Sequence, residues 1–217
     1  MKLLDVCSGQ FGWARAFAER GWECVGIDLI PPNDLPEGCS WWERDLFVLD
    51  AEFVRGFDFA VASTPCEQFS VHGMKHFHPN PPYPDLGIRQ FNHVRSIFEA
   101  SGVPYVMENV RAAQQFVGRA AHHCGPFYLW GNSVPPLMPQ GIKKNIQHAA
   151  GFSMSMSQAE KKICRKMDSM LRSGSKTKIR KLHTAQAATI PSELAACAAD
   201  YATWVVQNLD SKPAFLG

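Results

Sequence analysis

Two side chains in this 217-residue chain sit where folding alone gives little reason for them. Cys66 lies in the run S-T-P-C-E-Q-F-S, Ser63 to Ser70, directly after an apolar stretch that ends near Ala62. A proline ahead of the cysteine stiffens the backbone, and a thiol presented on such a turn becomes a nucleophile once it loses its proton. A lone cysteine is as readily a small buried hydrophobe. Glu108 and Asn109 close Y-V-M-E-N-V, Tyr105 to Val110, an otherwise apolar run. A carboxyl there costs stability unless it is paired or used, and burial would raise its pKa until it delivered a proton near neutral pH. Asn109 by itself reads equally as a helix cap.

A third constellation opens the chain. L-L-D-V-C-S-G-Q-F-G-W puts a small, glycine-containing turn (Cys7, Ser8, Gly9, then Phe11 and Gly12) after a strand-like run, and Asp28 follows about 20 residues on. Such a turn lets backbone approach a nucleoside while the acid accepts from ribose hydroxyls. The glycine spacing is not G-x-G-x-x-G, which argues against a dinucleotide. Asp45 adds an acceptor for an adenine amino group, and the same turn also occurs as a plain strand-to-helix connection.

These residues need a scaffold that brings them together. Short apolar runs alternate with helical stretches over the first 110 residues, the pattern of an α/β fold with a mostly parallel sheet and helices on both faces. Strands are expected near Leu3 to Cys7, Glu23 to Asp28, Trp41 to Asp45, Phe57 to Ala62 and Val103 to Glu108. Helices are expected over Gly12 to Arg20, Leu86 to Ala100 and, after a proline at the first turn, Pro191 to Val206. In such sheets ligands gather at the carboxyl ends of the strands, where Asp28, Asp45, Cys66 and Glu108 all fall. The proline-rich stretch from Thr64 to Pro84 reads as a long irregular loop. Its His72, His76 and His78 have no matching cysteine or acid, so no metal site is expected.

Charge is uneven along the chain. Lys143 to Lys181 holds 11 of the 22 Lys and Arg against only Glu160 and Asp168, a local charge of +9 that leaves −7 elsewhere. Such a block is a solvated linker or a surface that faces a polyanion. Seven cysteines without C-x-x-C spacing point to reduced thiols. No apolar run approaches the roughly 20 residues of a membrane span, so no membrane partner is expected. The expectation is a soluble cytoplasmic monomer, in the host cytoplasm if the chain is viral.

The order of these motifs resembles the motif set of the DNA cytosine-C5 methyltransferase family: D-V-C-S-G, an acid ending the second strand, P-C-E-Q-F-S, then E-N-V. The resemblance covers residues 1 to about 110 and, more loosely, Gln186 to Ala195. It implies a Rossmann-like class I S-adenosylmethionine-dependent fold. It also implies Cys66 as the nucleophile on C6 of cytosine, with Glu108 at N3 and Asn109 beside it. Cys7, Ser8, Gly9, Phe11, Gly12, Asp28, Leu29, Asp45 and Leu46 would bind S-adenosylmethionine. A base inside a duplex cannot reach such a site, so the target would be flipped out. DNA is the first expected partner and RNA the alternative. An inactive regulator that binds cofactor or DNA is a third reading.

Phe11 stands where the family has a second glycine, and Glu67 where it has glutamine. Only about 50 residues separate Gly131 from His183, where family members carry a large target-recognition region. Short or relaxed sequence specificity follows, in a role such as protection from restriction. Pro65 and Ser70 would then flank the substrate. Lys161, Lys162, Arg165, Lys166, Lys176, Lys178, Arg180 and Lys181 would contact phosphates. The chain divides accordingly into a catalytic unit over residues 1–140, a basic target-binding segment over 141–182 and a completing C-terminal helix over 183–217.

Overall fold

The computed structural model describes residues 1–66, 68–69, 84–142 and 190–209. Ser70, the three loop histidines and all eight basic residues of the expected phosphate surface lie outside that set. So does the 141–182 segment beyond its first two residues.

Seven strands form one sheet: β1 Lys2–Val6, β2 Glu23–Asp28, β3 Cys39–Glu43, β4 Phe59–Ser63, β5 Tyr105–Asn109, β6 His122–Cys124 and β7 Phe127–Trp130. Their spatial order is β3-β2-β1-β4-β5-β7-β6. β1 to β5 pair in parallel, and β7 runs antiparallel between β5 and β6. The fold is thus the expected α/β Rossmann-like one, a mostly parallel sheet covered on both faces. The chain winds outward from β1 to β3 and then crosses back to lay β4 against β1. The sheet's topological switch point therefore lies between β1 and β4, and the crevice outside their carboxyl ends is where such sheets bind ligands.

Alternation along the parallel strands sends side chains to two cores. Leu3, Cys24, Phe59, Val61 and Val106 face one side with Phe17 and Trp22. Leu4, Val6, Ile27, Ala60, Ala62 and Met107 face the other. Helix α3, Asp85–Ser101, covers the second face with Phe91, Val94, Ile97 and Phe98, a helical stripe that ends at Gly102 in the left-handed region. The first face is covered by α1, Ala14–Ala18, and by α5, Ser192–Leu209, which buries Leu194, Ala195, Ala198, Ala199 and Ala202 against it. The alanines let α5 lie close to α1. Two polar contacts tie the C-terminal helix to this end of the sheet. Trp22 Nε1 donates to Thr203 Oγ1 at 3.1 Å. Arg20 reaches both carboxylate oxygens of Asp200 at 2.6 and 3.1 Å. Short helices α2, Ala51–Val54, and α4, Gln114–Val117, complete the connections. Among the described residues no helix is long and apolar enough to cross a membrane.

The sequence reading placed the five parallel strands within about two residues but did not foresee β6 and β7. Gly125, with φ +56, turns that hairpin inside H-H-C-G-P-F-Y-L-W. β6 has two exposed histidines and β7 is only four residues long, so neither presents a clear alternating pattern.

Candidate functional site

Three turns leave neighbouring strands at the switch point. The first follows β1. Cys7, Gly9 and Phe11 take φ values of +58, +52 and +59, so the backbone coils tightly through left-handed conformations that cost a non-glycine residue about 1–2 kcal/mol. Asp28, the last residue of β2, holds this coil. Its Oδ2 accepts from Gly9 N at 3.0 Å and its Oδ1 from Ile30 N at 3.1 Å. Ser8 N donates to Ile27 O. The Phe11 ring is fully buried over Gly26, where an added Cβ would lie 2.7 Å from both Phe11 Cε1 and Ser8 Oγ. Phe11 thus adopts a left-handed conformation more usual for glycine, and Gly26 makes room for its ring. Gly12 is pressed against Ile190, the residue that leads into α5.

The charge around this turn is negative. Burial pushes the Cys7 thiol's pKa up, and Asp28, Asp5 and Asp45 add to that shift. Asp5 is completely buried, and neither carboxylate oxygen has a hydrogen-bond partner. Burial raises its pKa well above the usual carboxylate range; the Ala14 amide, close by but outside hydrogen-bonding geometry, opposes that shift, and the Asp28 charge adds to it. Ser8 Oγ is also buried without a partner. Asp45 caps the turn after β3 by accepting from Phe47 N at 2.9 Å. Leu46 packs into the core beneath, while Leu29 stands 60% exposed on the rim.

The second turn follows β4 and carries Cys66. Three fixings hold it. Asn109 Nδ2 donates to Thr64 O at 2.9 Å and to Thr64 Oγ1 at 3.0 Å, with donor and acceptor residues both buried. Phe69 N donates to Cys66 O, and the Phe69 ring is buried and stacked on Phe116 at 5.9 Å. Gln68 Oε1 accepts from Gly87 N at 2.9 Å, which fastens the turn to the start of α3. Pro65 is exposed and Cys66 half-buried, so the thiol rides on a rigid turn with a face toward solvent.

The third group is the end of β5. Glu108 lies directly across from Ser63 in the parallel register and is nearly buried. Ser63 Oγ accepts from Trp13 Nε1 at 2.9 Å, which joins the β1 turn to the strand that carries Cys66. Asn109 is fully buried; its amide is committed to Thr64 and its Oδ1 accepts from Val110 N. Its contribution is to position the cysteine turn.

Cys66, Glu108, Asp28 and Asp45 therefore share one edge of the sheet, with the β1 turn and the cysteine turn on adjacent strands. Asp5, although it lies within D-V-C-S-G, is not among the site residues expected from the sequence. Nor are Thr64, Trp13, Ser63 and Gln68. A buried aspartate inside an apolar strand was a usable signal for the first; the others depend on contacts across the fold. Among the described residues no cluster of three His, Cys, Asp or Glu is arranged for a metal ion.

The chain matches no protein-family model and no curated protein. Solved structures similar to part of it include the Entamoeba histolytica methyltransferase EhMeth (16% identity, 54% of this chain and 40% of that one, TM-score 0.39). Another is a Spodoptera frugiperda DNMT2 variant (22%, 52% and 37%, TM-score 0.37). A third is the NAD-dependent NDP-hexosamine 5,6-dehydratase TunA (20%, 49% and 36%, TM-score 0.36). The chain spans less than half the length of each.

Proposed function

We propose that this chain is an S-adenosylmethionine-dependent cytosine-C5 methyltransferase acting on nucleic acid, with DNA as the first substrate, Cys66 as covalent nucleophile and Glu108 as its acid partner. The observation that carries this reading is the junction of the two motifs. Asn109, from the E-N-V run, staples the Thr64–Cys66 turn, while Glu108 of the same run lies in register with Ser63 at the base of that turn.

The chemistry of the crevice favours a cationic cofactor over a dinucleotide. Two carboxylates, Asp28 and Asp45, flank the β1 turn, and two buried polar groups there, Asp5, whose protonated form burial favours, and Ser8, have no partner. A pyrophosphate would meet those acids with unfavourable charge. It would also find the Gly9 amide already given to Asp28 and a five-residue α1, too short to offer the helix-end field that dinucleotide folds use. A ligand that carries a sulfonium and an ammonium fits the same charges. Asp28 would hold the ribose, Asp45 the adenine amino group, and the Cys7–Gly9 backbone the amino-acid end. When bound, S-adenosylmethionine supplies an electrophilic methyl group.

The protein must make C5 of the base nucleophilic, because an aromatic pyrimidine carbon does not attack a sulfonium unaided. The Cys66 sulfur adds to C6 and Glu108 holds a proton at N3, so that the ring electrons gather at C5. Once C5 has been methylated and its proton lost, elimination returns the Cys66 sulfur and restores the aromatic ring. The rigid fixing of the turn matters here, since addition needs sulfur and C6 held at near-attack distance.

Transfer of labelled methyl to duplex DNA, with nucleoside analysis, tests the reading with wild type and Cys66→Ala side by side. We expect 5-methylcytosine from wild type only. Full activity in Cys66→Ala would overturn the mechanism, and product with RNA alone would reassign the substrate.

A further inference from the structure

Cys24 and Cys39 play no part in the proposed chemistry, yet the fold sets them side by side. In the parallel pairing of β2 with β3 they are direct partners. Cys24 N donates to Gly38 O at 3.0 Å, which fixes that register. Directly opposed residues of a parallel pair project from the same face, and neighbouring strands lie about 4.8 Å apart, inside the Cα separation that a disulfide spans. Both thiols are free. They differ in access: Cys24 is buried, with its sulfur against the carbonyls of Ala14 and Trp22, whereas Cys39 is half-exposed.

We propose that Cys24 and Cys39 form a peroxide-sensitive dithiol that closes into a cross-strand disulfide between β2 and β3. The Cys39 sulfur attacks one oxygen of hydrogen peroxide, the O–O bond breaks, and hydroxide leaves to take up a proton as water. Cys39 becomes a sulfenic acid, oxidised by two electrons. The Cys24 sulfur then attacks the Cys39 sulfur. The S–O bond breaks, hydroxide departs with the Cys24 proton as a second water, and the S–S bond forms. Two thiols and one peroxide give one disulfide and two waters.

The surroundings assign the roles. Contact with Cys24 and the nearby Arg15 guanidinium both hold the Cys39 thiol below its ordinary pKa, although partial burial opposes them. Cys39 is therefore the half that ionises and meets oxidant first. Arg15 is kept in that region by Asp34, 3.5 Å away in the β2–β3 connection. The closed bridge would span residues 24 to 39, including Asp28, and fasten the sheet's edge strand to its neighbour.

The full-length protein, titrated with hydrogen peroxide and mapped by mass spectrometry after thiol blocking, should yield a peptide linking 24 to 39. Its mass should be 2 Da below the two free peptides combined, by loss of two hydrogens. Dithiothreitol should reverse it, and the bridged form should melt at a higher temperature than the reduced form. Cys24→Ser should accumulate a sulfenic acid at Cys39 that dimedone traps, and Cys39→Ser should give neither bridge nor trapped adduct at Cys24. Oxidation confined to other cysteines, or a Cys39 inert to dimedone in Cys24→Ser, would overturn the proposal. Neither residue enters the methyl-transfer reading, so the two stand or fall separately.

Discussion

Replacing Asn109 with alanine separates positioning of the nucleophile from the chemistry itself. The substitution removes the donors to Thr64 O and Thr64 Oγ1 and the acceptor for Val110 N. Thr64 is 3% exposed, so water does not readily replace the missing amide at its carbonyl. One buried carbonyl left unsatisfied costs about 1–3 kcal/mol. The hydroxyl can rotate and Val110 is only half-buried, so these two lost bonds together add about 1 kcal/mol. The expected loss is about 2–4 kcal/mol, read as a lower midpoint at unchanged slope in urea unfolding. The cysteine turn keeps its Gln68 and Phe69 anchors but loses the one on its β4 side, at Thr64. Displacement by about 1 Å would lower kcat about 100-fold. KM for DNA should move little, because no substrate contact is deleted. Asn109→Asp keeps the Val110 acceptor but turns a carboxylate oxygen toward the Thr64 carbonyl, and it should be no better than alanine. An Asn109→Ala protein within about 0.5 kcal/mol of wild type, with kcat intact, would refute the idea that this amide holds the site together.

Three other outcomes follow from the same contacts. Trp13→Phe keeps an aromatic ring in the core but loses the bond to Ser63 Oγ; it should cost about 1 kcal/mol by denaturation and lower methyl transfer more than S-adenosylmethionine binding. Asp5 has a folded pKa raised by burial, so the folded state holds its proton to higher pH than the unfolded chain does. Its effect on stability is absent below about pH 3.9 and grows unfavourable as pH rises toward and through the folded value. Asp5→Asn without cofactor should therefore be more stable than wild type at pH 7, with the gain shrinking in acid; a less stable variant at pH 7 would contradict this. Asp200 has its pKa lowered by Arg20, so the pair contributes above the unfolded pKa and is lost as pH falls through the folded one. It is largely exposed, and Asp200→Asn should cost no more than about 1 kcal/mol at neutral pH, less in high salt, and nothing in strong acid.

The sequence made the sheet legible because β1, β2, β4 and β5 are short apolar runs bounded by polar residues, and run length with flanking polarity is a local signal; β3, C-S-W-W-E, is the most exposed of the five. Glu108 stood out as a carboxyl near the end of an apolar run and Cys66 as a thiol on the proline turn after β4, and the fold brings both to the same edge of the sheet. Asp28 was expected as a ribose acceptor; in the fold it is the clamp on the Gly9 amide, a contact that needs two strands in place to be seen. Asn109 read as either a cap or a catalytic neighbour, and its partner at Thr64 lies 45 residues away. The Trp13 bond to Ser63 crosses 50 residues. Contacts of that span follow from the winding order, which no local pattern encodes.

The Phe11–Gly26 pair also constrains how this chain can change. The ring over β2 and the absent side chain beneath it form one fitted unit drawn from two motifs 15 residues apart. Restoring glycine at position 11 would relax the backbone but leave a void the size of a phenyl ring. Adding a methyl at position 26 would drive the ring out of place. Neither step is neutral alone, so the two positions are coupled: the effect of a change at one depends on the residue at the other.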